Sequence, residues 1–522
     1  MTEPGAGTEP MTKPAPVVPD QRLGSLSIRQ AVIALIAVMF VLRLVGAAIL
    51  GWGTGEAYYL ATARQLHLSY FDQPPIFLWL IWGTINLFHN ESTLVVRLPF
   101  VVMFAVSTWL IFDITRRVSS PLAGFYAALI TNASILFTAS IGAWIQPDAP
   151  MVLFWLATVR VLVEIFFGNG AKQPYRYWAL AGLFLGLDFL SKYHGVFVAL
   201  GTGLFLVFNR EQRRWLVHPA PWLALLISVA LFTPVIVWNA QNHWVSFGFQ
   251  GDRAMIGDLR WDRLLRMIVG QIIYMSPWLS IPALVIGARA LFAGLRGVYP
   301  KDTTPGSAAL FAYLGLPAVI FFTVVALWSD TQYHFHWQAP GYMVLFMLMG
   351  EWAARHDGRA VRVWLCSALV LCVAIVGALE SHAATGWMRN VFPGDWPDPA
   401  AQQLPWTELG SVLESRGVFS QPKVFVAGGN WIDCGYIDTQ VAGRAPFLCL
   451  FDGRNLDYSF DPKAYQGWNA YVVLRTGNPA APPDGIDKMF DSFRHLETVD
   501  VTRSGRVEIG DIQLYYAQGY HG

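Results

Sequence analysis

Two carboxylates and a group of tyrosines stand where an otherwise apolar chain turns polar. They lie in Gly55-Glu56-Ala57-Tyr58-Tyr59 and in Tyr70-Phe71-Asp72-Gln73-Pro74-Pro75. A carboxylate can take a proton from a hydroxyl nucleophile or orient a polar substrate. Acids beside a rigid Pro-Pro turn, next to a run long enough to cross a bilayer, suggest polar chemistry at a membrane surface. Further along, Asp148 follows Pro147, and Lys192 sits between two apolar runs, where a cation is costly unless paired or used. His334 and His336 flank Phe335. A His-x-His pair is a weak metal signal without further ligands, so an interfacial role is the simpler reading.

The elements that must position these residues are membrane helices. The chain is 54% hydrophobic, only 14% charged, carries 22 Trp and has a net charge of +1. Soluble domains carry about 25% charged residues, so the composition indicates a polytopic membrane protein and gives no sign of nucleic-acid binding. Residues 1–27 read as a flexible cytoplasmic tail. The first apolar run keeps Arg43 and lacks a cleavage site, so it reads as a retained helix. Apolar runs centre near residues 40, 104, 130, 158, 184, 201, 229, 280, 318, 345 and 373, which predicts about eleven spans. The shorter run 76–88 reads as an interfacial helix.

Arginine and lysine orient the spans. Arg116/Arg117, Lys172/Arg176, Arg210/Arg213/Arg214, Arg289/Arg296/Lys301 and Arg355/Arg359/Arg362 fall in alternate connections, which the positive-inside rule makes cytoplasmic. Glu56, Asp72, Asp148, Lys192, Asp252, Asp262, Asp330, His334 and His336 then face outward, while the spans read as nearly uncharged. A carrier would place ionisable groups near the midplane, so this one-sidedness favours an enzyme at the outer face over a flippase. The arginines 253, 260, 263 and 266, interleaved with Asp252, Asp258 and Asp262, read as a solvated external loop in which one arginine could clamp phosphate. From about 383 onward, strand-like runs at 423–427 and 470–474 and the turn Gly428-Gly429-Asn430 predict a small extracytoplasmic α/β domain, residues 383–522. That compartment permits, without requiring, a disulfide between Cys434 and Cys449.

The first-loop segments resemble the first external loop of bacterial GT-C glycosyltransferases, in the manner of the lipid A aminoarabinose and galacturonosyl transferases and the protein O-mannosyltransferase-like superfamily. Gln146-Pro147-Asp148-Ala149-Pro150, Leu190-Ser191-Lys192-Tyr193 and Trp238-Asn239-Ala240-Gln241-Asn242-His243-Trp244 extend the resemblance over roughly residues 30 to 350. It implies a polytopic GT-C-like catalytic region, residues 28–382. It also implies an inverting transfer of sugar from a polyprenyl-phosphate donor to a lipid, glycan or protein acceptor at the outer face of a bacterial inner membrane. Relatives carry an Asp before the Glu; here the position is Gly55, so Glu56 stands alone, and a non-catalytic relative is a further reading. A basic residue often follows the second acid, where this chain has Gln73. The resemblance makes Glu56, Asp72 and Asp148 the candidate catalytic carboxylates. Lys192, Tyr58, Tyr59, Gln73 and His336 become candidates for binding the donor. The resemblance fixes no cofactor, and the carboxylates could instead hold a divalent cation.

Overall fold

The computed structural model describes residues 22–253, 257–297, 304–329, 334–391, 398, 400, 403, 406–450, 462–475, 485–503 and 507–522. Most of the expected tail 1–27, and Asp330, lie outside them. A short hairpin, β1 (Arg22–Leu23) and β2 (Leu26–Ser27), leads into α1 (Ile28–Ile49). Ser27 and Gln30 close a reciprocal cap there: the Ser27 hydroxyl accepts from the Gln30 amide, and the Gln30 side chain accepts from the Ser27 amide.

Two short helices, α2 (Thr54–Ala63) and α3 (Ile76–Phe88), precede α4 (Thr93–Val118) and α5 (Pro121–Asn132). A π-turn at Phe137–Ile141 leads to α6 (Asp148–Phe167). Then follow α7 (Pro174–Ser191), α8 (Val196–Phe208), α9 (Arg214–Val217) and α10 (Pro219–Gln241). The surface helices α11 (Val245–Asp252) and α12 (Trp261–Tyr274) lead to α13 (Pro277–Leu295), α14 (Ser307–Val325), α15 (Ala339–Arg355) and α16 (Arg359–Thr385).

All eleven centres fall on helices. Seven helices are long and apolar enough to cross a bilayer: α1, α4, α6, α10, α13, α14 and α16. The others at predicted centres are shorter than the roughly 20 residues a straight span needs. One core, to which Trp155, Phe137 and Phe346 belong, unites the bundle. The expectation of nearly uncharged spans is corrected: Arg43, Arg97, Asp188 and Glu351 are all buried within helices. Arg43, for example, donates to Asn132 and Thr138. The expected solvated loop around residues 253–266 is also corrected. Apolar residues recur at Trp261, Leu265, Ile268, Val269 and Ile273, a helical spacing that makes α12 amphipathic.

After α16 come α17 (Thr407–Ser415), β3 (Val424–Gly428), α18 (Trp431–Val441), β4 (Phe447–Cys449), β5 (Asn469–Leu474), β6 (Phe490–Arg503) and β7 (Val507–Tyr520). They build a five-stranded sheet in the order β4-β3-β5-β7-β6, parallel across β4, β3 and β5 and antiparallel beyond. The continuous apolar runs at 424–427 and 470–474 are buried on both faces, as parallel strands require. Cys434 of α18 and Cys449 of β4 form a disulfide. It closes a loop over a sequence separation of 15 residues. Replacing both cysteines by Ser should therefore cost about 3 kcal/mol of stability in the C-terminal region. Chemical unfolding followed by a fluorophore placed on β7 checks this, against an expected unchanged midpoint for Cys366→Ser.

Candidate active site

Glu56 is the third residue of α2 and lies buried against α4. Arg97 grips it with both ends of its guanidinium, Nε to Oε1 at 2.8 Å and Nη2 to Oε2 at 2.5 Å. The amide of Ile145 donates to Oε1 and that of Gly53 to Oε2, each at 2.9 Å. All four lone-pair directions of the carboxylate are thereby filled. Arg97 spends its remaining donors on the carbonyls of Ala47, Leu50 and Gly51 at the end of α1. Glu56, expected as a candidate catalytic carboxylate, is held as a closed structural anchor. Its contribution is to fix the strand of loop that leads to Asp148.

Asp148 opens α6, and its carboxylate receives the Lys192 ammonium at 2.9 and 2.8 Å. Both side chains are buried, and Lys192 pairs with this distant carboxylate rather than with Asp188 four residues earlier. Asp188 points elsewhere and its two oxygens meet no hydrogen-bond partner. Lys192 sits in the break between α7 and α8, where its extended backbone ends α7. Burial pulls its pKa below the ordinary lysine value, Asp148 pulls it back up, and the Arg253 charge lowers it again.

His334 and His336 lie on the strip before α15, in the same electrostatic neighbourhood. Each keeps a partly exposed edge, yet burial is the largest cause that holds His336 down to about 4 and His334 to about 3. Lys192 pushes both further down and Asp148 opposes it. Arg253, at the end of α11, packs its guanidinium over Phe249 at 4.1 Å and over Trp337 at 5.9 Å. It is the arginine of the 253–266 group that faces Lys192 and His334. Arg260 and Arg266 pair with Asp262 instead, and Arg263 donates to the Ser329 carbonyl.

Asp72 is buried, and Gln250 of α11 donates to its backbone carbonyl at 2.6 Å. Its carboxylate faces Tyr193, whose hydroxyl shares a 2.8 Å hydrogen bond with Ser246. Burial, the largest cause, and Asp72 together push the Tyr193 phenol up to about 12. The Tyr193 ring lines an apolar cavity of about 290 Å³ together with Phe189, Val196, Val229, Phe232 and Phe247. Gln73 is half-buried beside Asp72.

Tyr58 is not gathered with this group. Its ring packs edge-on against Trp431 at 5.3 Å, among the residues that join α2 to α17 and α18. Tyr59 turns instead toward Phe77, at 4.7 Å. Sequence reasoning passed over Arg97, Ser246 and Gln250, and gave Tyr193 no role although it stood in the Leu190-Ser191-Lys192-Tyr193 motif. An arginine inside the apolar run 93–118 was the available signal for the first. Among the described residues no three His, Cys, Asp or Glu side chains gather as metal ligands would.

Over almost the whole chain the fold is that of ArnT from Cupriavidus metallidurans, with a TM-score of 0.60 at 15% identity, covering 94% of this chain and 98% of that one. The form of ArnT bound to undecaprenyl phosphate aligns with a TM-score of 0.59 at 13% identity, covering 93% and 97%. Residues 72–238 match the family model described as dolichyl-phosphate-mannose-protein mannosyltransferase. The lipid A galacturonosyltransferase RgtD of Rhizobium johnstonii is 22% identical over 288 residues, 53% of this chain and 57% of that protein. The chain is a multi-span membrane protein with the fold of ArnT, and it is similar in sequence to GT-C glycosyltransferases over part of its length.

Two outcomes follow from the geometry. Arg97→Ala removes the cation from the buried Glu56 charge and from three carbonyls at and just after the end of α1, and should cost about 3–5 kcal/mol, read as a lowered unfolding midpoint in detergent. The folded chain keeps His336 and His334 neutral well below the ordinary histidine pKa of about 6.5. The unfolded chain therefore takes up protons first as pH falls, and stability is lost from about pH 6.5 down to about pH 4. Thermal unfolding across that range should show a slope that flattens in His336→Asn.

Proposed function

We propose that this protein moves a sugar from a polyprenyl-phosphate donor to an envelope lipid of the lipid A type, with inversion, at the outer face of a bacterial inner membrane. The observation that carries the reading is the junction at residues 192–193. Lys192, whose buried ammonium pairs with Asp148, is followed directly by Tyr193, whose ring lines an aromatic cavity together with Val196 and Val229, both half-exposed on the outside of the bundle. A lipid phosphate needs this combination, apolar walls for its chain and a cation at their polar end. Undecaprenyl phosphate bound to ArnT, and the acceptor in the name of RgtD, support the same reading.

In the reaction, the bond between the anomeric carbon and the phosphate oxygen breaks while the acceptor oxygen attacks the opposite face of the sugar. Lys192 and Arg253 meet the negative charge that grows on the leaving phosphate. Asp72 is the carboxylate beside the cavity and takes the acceptor proton when the acceptor is a hydroxyl. Asp148 holds Lys192 in place, and Glu56 holds the loop that carries Asp148. Tyr58 then acts through packing, whereas Tyr59 and Gln73 border the loop that carries Asp72. A protein acceptor is the second reading, favoured by the description of the family model.

The test is transfer by the full chain in nanodiscs, with undecaprenyl-phosphate donors carrying a hexose, a uronic acid or an amino sugar, and with lipid A or a secreted protein as acceptor. Mass spectrometry reads the product. Lys192→Met should lower turnover by roughly 10²–10³-fold, with Asp72→Asn comparably impaired on a hydroxyl acceptor. Wild-type turnover in the Lys192→Met variant would overturn the reading, and product on protein alone would move it to the second.

A further inference from the structure

The helix α12 has a face that the chain itself leaves uncovered. Its fourteen residues span about 21 Å, short of the roughly 30 Å hydrocarbon core, so it lies along the bundle rather than across a bilayer. One side is fixed to the site. Gly270 lies so close to Phe335 that a Cβ there would meet the ring at 2.0 Å, and the Gln338 amide reaches the Met267 sulfur at 3.2 Å. The Tyr342 hydroxyl donates to Gln271 at 3.2 Å. The strip so gripped is the one that carries His334 and His336.

The opposite side presents Trp261 and Leu265, 69% and 62% exposed, in line with Ile268, Val269 and Ile273. At the start of this stripe stand Arg260 and Arg266, whose side chains are 50% and 66% exposed. They share Asp262, with Arg260 at 3.0 Å and Arg266 at 3.8 Å. Three arginines face two aspartates over residues 257–274, so the end of the helix keeps a cationic surplus.

We infer that α12 is the docking surface for the acceptor: an anionic lipid whose chains lie along Leu265, Val269 and Ile273 and whose headgroup phosphate meets Arg260 and Arg266. The inference rests on the proposed transferase reading for the word acceptor. An apolar stripe with basic residues at one end is complementary to a phosphate-bearing lipid lying at the bilayer surface. The position agrees with a second substrate. α12 packs on α13 and α14, whereas the aromatic cavity is lined from α7, α8, α10 and α11, so two lipids can approach without sharing a groove. The headgroup end is also wired to the site. The Arg260 amide donates to the Leu327 carbonyl and Arg263 to the Ser329 carbonyl, while the Ser329 hydroxyl holds the Arg253 carbonyl at 2.7 Å. These bonds tie the start of α12, through residues 327–329, to the backbone of Arg253, whose side chain faces Lys192.

Binding of diphosphoryl lipid A and, separately, of undecaprenyl phosphate to the detergent-solubilised full chain tests this. For Arg260→Gln/Arg266→Gln, the Kd for lipid A should rise on the order of 30-fold, with a weaker salt dependence, while the Kd for undecaprenyl phosphate stays at its wild-type value. Leu265→Glu, which places an acid on the exposed stripe, should weaken lipid A binding with the same selectivity. Unchanged lipid A affinity in both variants would overturn the assignment. Equal competition by phosphatidylglycerol would also overturn it, by making α12 a general anionic-lipid surface. The two proposals fail separately: absence of transfer by the wild type, with the binding contrast intact, removes the reaction and leaves the docking surface. Transfer without the contrast removes the docking surface alone.

Discussion

The buried pair between Arg97 and Glu56 is the constraint from which the site is built. Two charges taken out of water cost several kcal/mol each unless geometry and further hydrogen bonds compensate, and here every donor and acceptor is used. Arg97 holds the end of α1 through three carbonyls, and Glu56 holds Gly53 before α2 and Ile145 before α6. One residue of α4 therefore sets the relative placement of α1, α2 and the loop entering α6. Three residues after Ile145 comes Asp148, whose carboxylate fixes Lys192 across the break in α7 and α8. The two ion pairs act in series, and displacement of the first loosens the second without touching it.

The C-terminal region belongs to the same scaffold. Gly435 of α18 approaches the backbone of Tyr58 so closely that a Cβ would meet its amide nitrogen at 2.5 Å. Tyr436 shares a hydrogen bond with Thr54, and Arg64 bridges Asp438 of α18 to Glu91 ahead of α4. Burial raises the Asp438 carboxyl and the Arg64 charge opposes that shift, so the bridge works against a desolvation cost and needs a firm α18. The disulfide to β4 supplies that firmness. At the other end, His382 of α16 and Arg503 of β6 both hold Asp398, tying the sheet to the last span. The helix α2 is thus clamped from the bundle by Arg97 and from above by α18.

How much of this was legible depended on whether the signal was local. Apolar runs and basic connections are properties of single segments, so helices appear at every predicted centre and the strands at 424–428 and 469–474 follow their runs. Lys192 announced itself because a lysine between apolar runs is expensive wherever it lies, yet its partner was a residue 44 positions away. Of the four hydrogen bonds that close Glu56, only that from Gly53 is local; the other three come from Arg97 and Ile145, and nothing near residue 56 reveals them. Tyr58 and Tyr59 looked equivalent in sequence. On a helix, adjacent side chains diverge by about 100°, which sends one to α18 and the other to Phe77. The charged stretch 252–266 was read as a loop because its arginines and aspartates masked the helical apolar spacing that begins at Trp261.

The resting charge of the site limits how a phosphate could enter it. A lysine ammonium has three donors, and Asp148 takes two of them through its two oxygens. The third has no partner among the described residues. A phosphate oxygen can accept it without breaking the ion pair, so a phosphate entering here would not need to strip Lys192 from Asp148. The neighbouring histidines are neutral at pH 7 and add hydrogen-bonding capacity rather than charge. Beyond Lys192, the cation that faces this pole is then Arg253, on the short helix α11, whose Gln250 also holds the loop of Asp72. In the proposed reaction the fixed charge sits on the bundle and the second charge on a surface helix. Placement of the leaving group and placement of the proton acceptor are therefore coupled through α11.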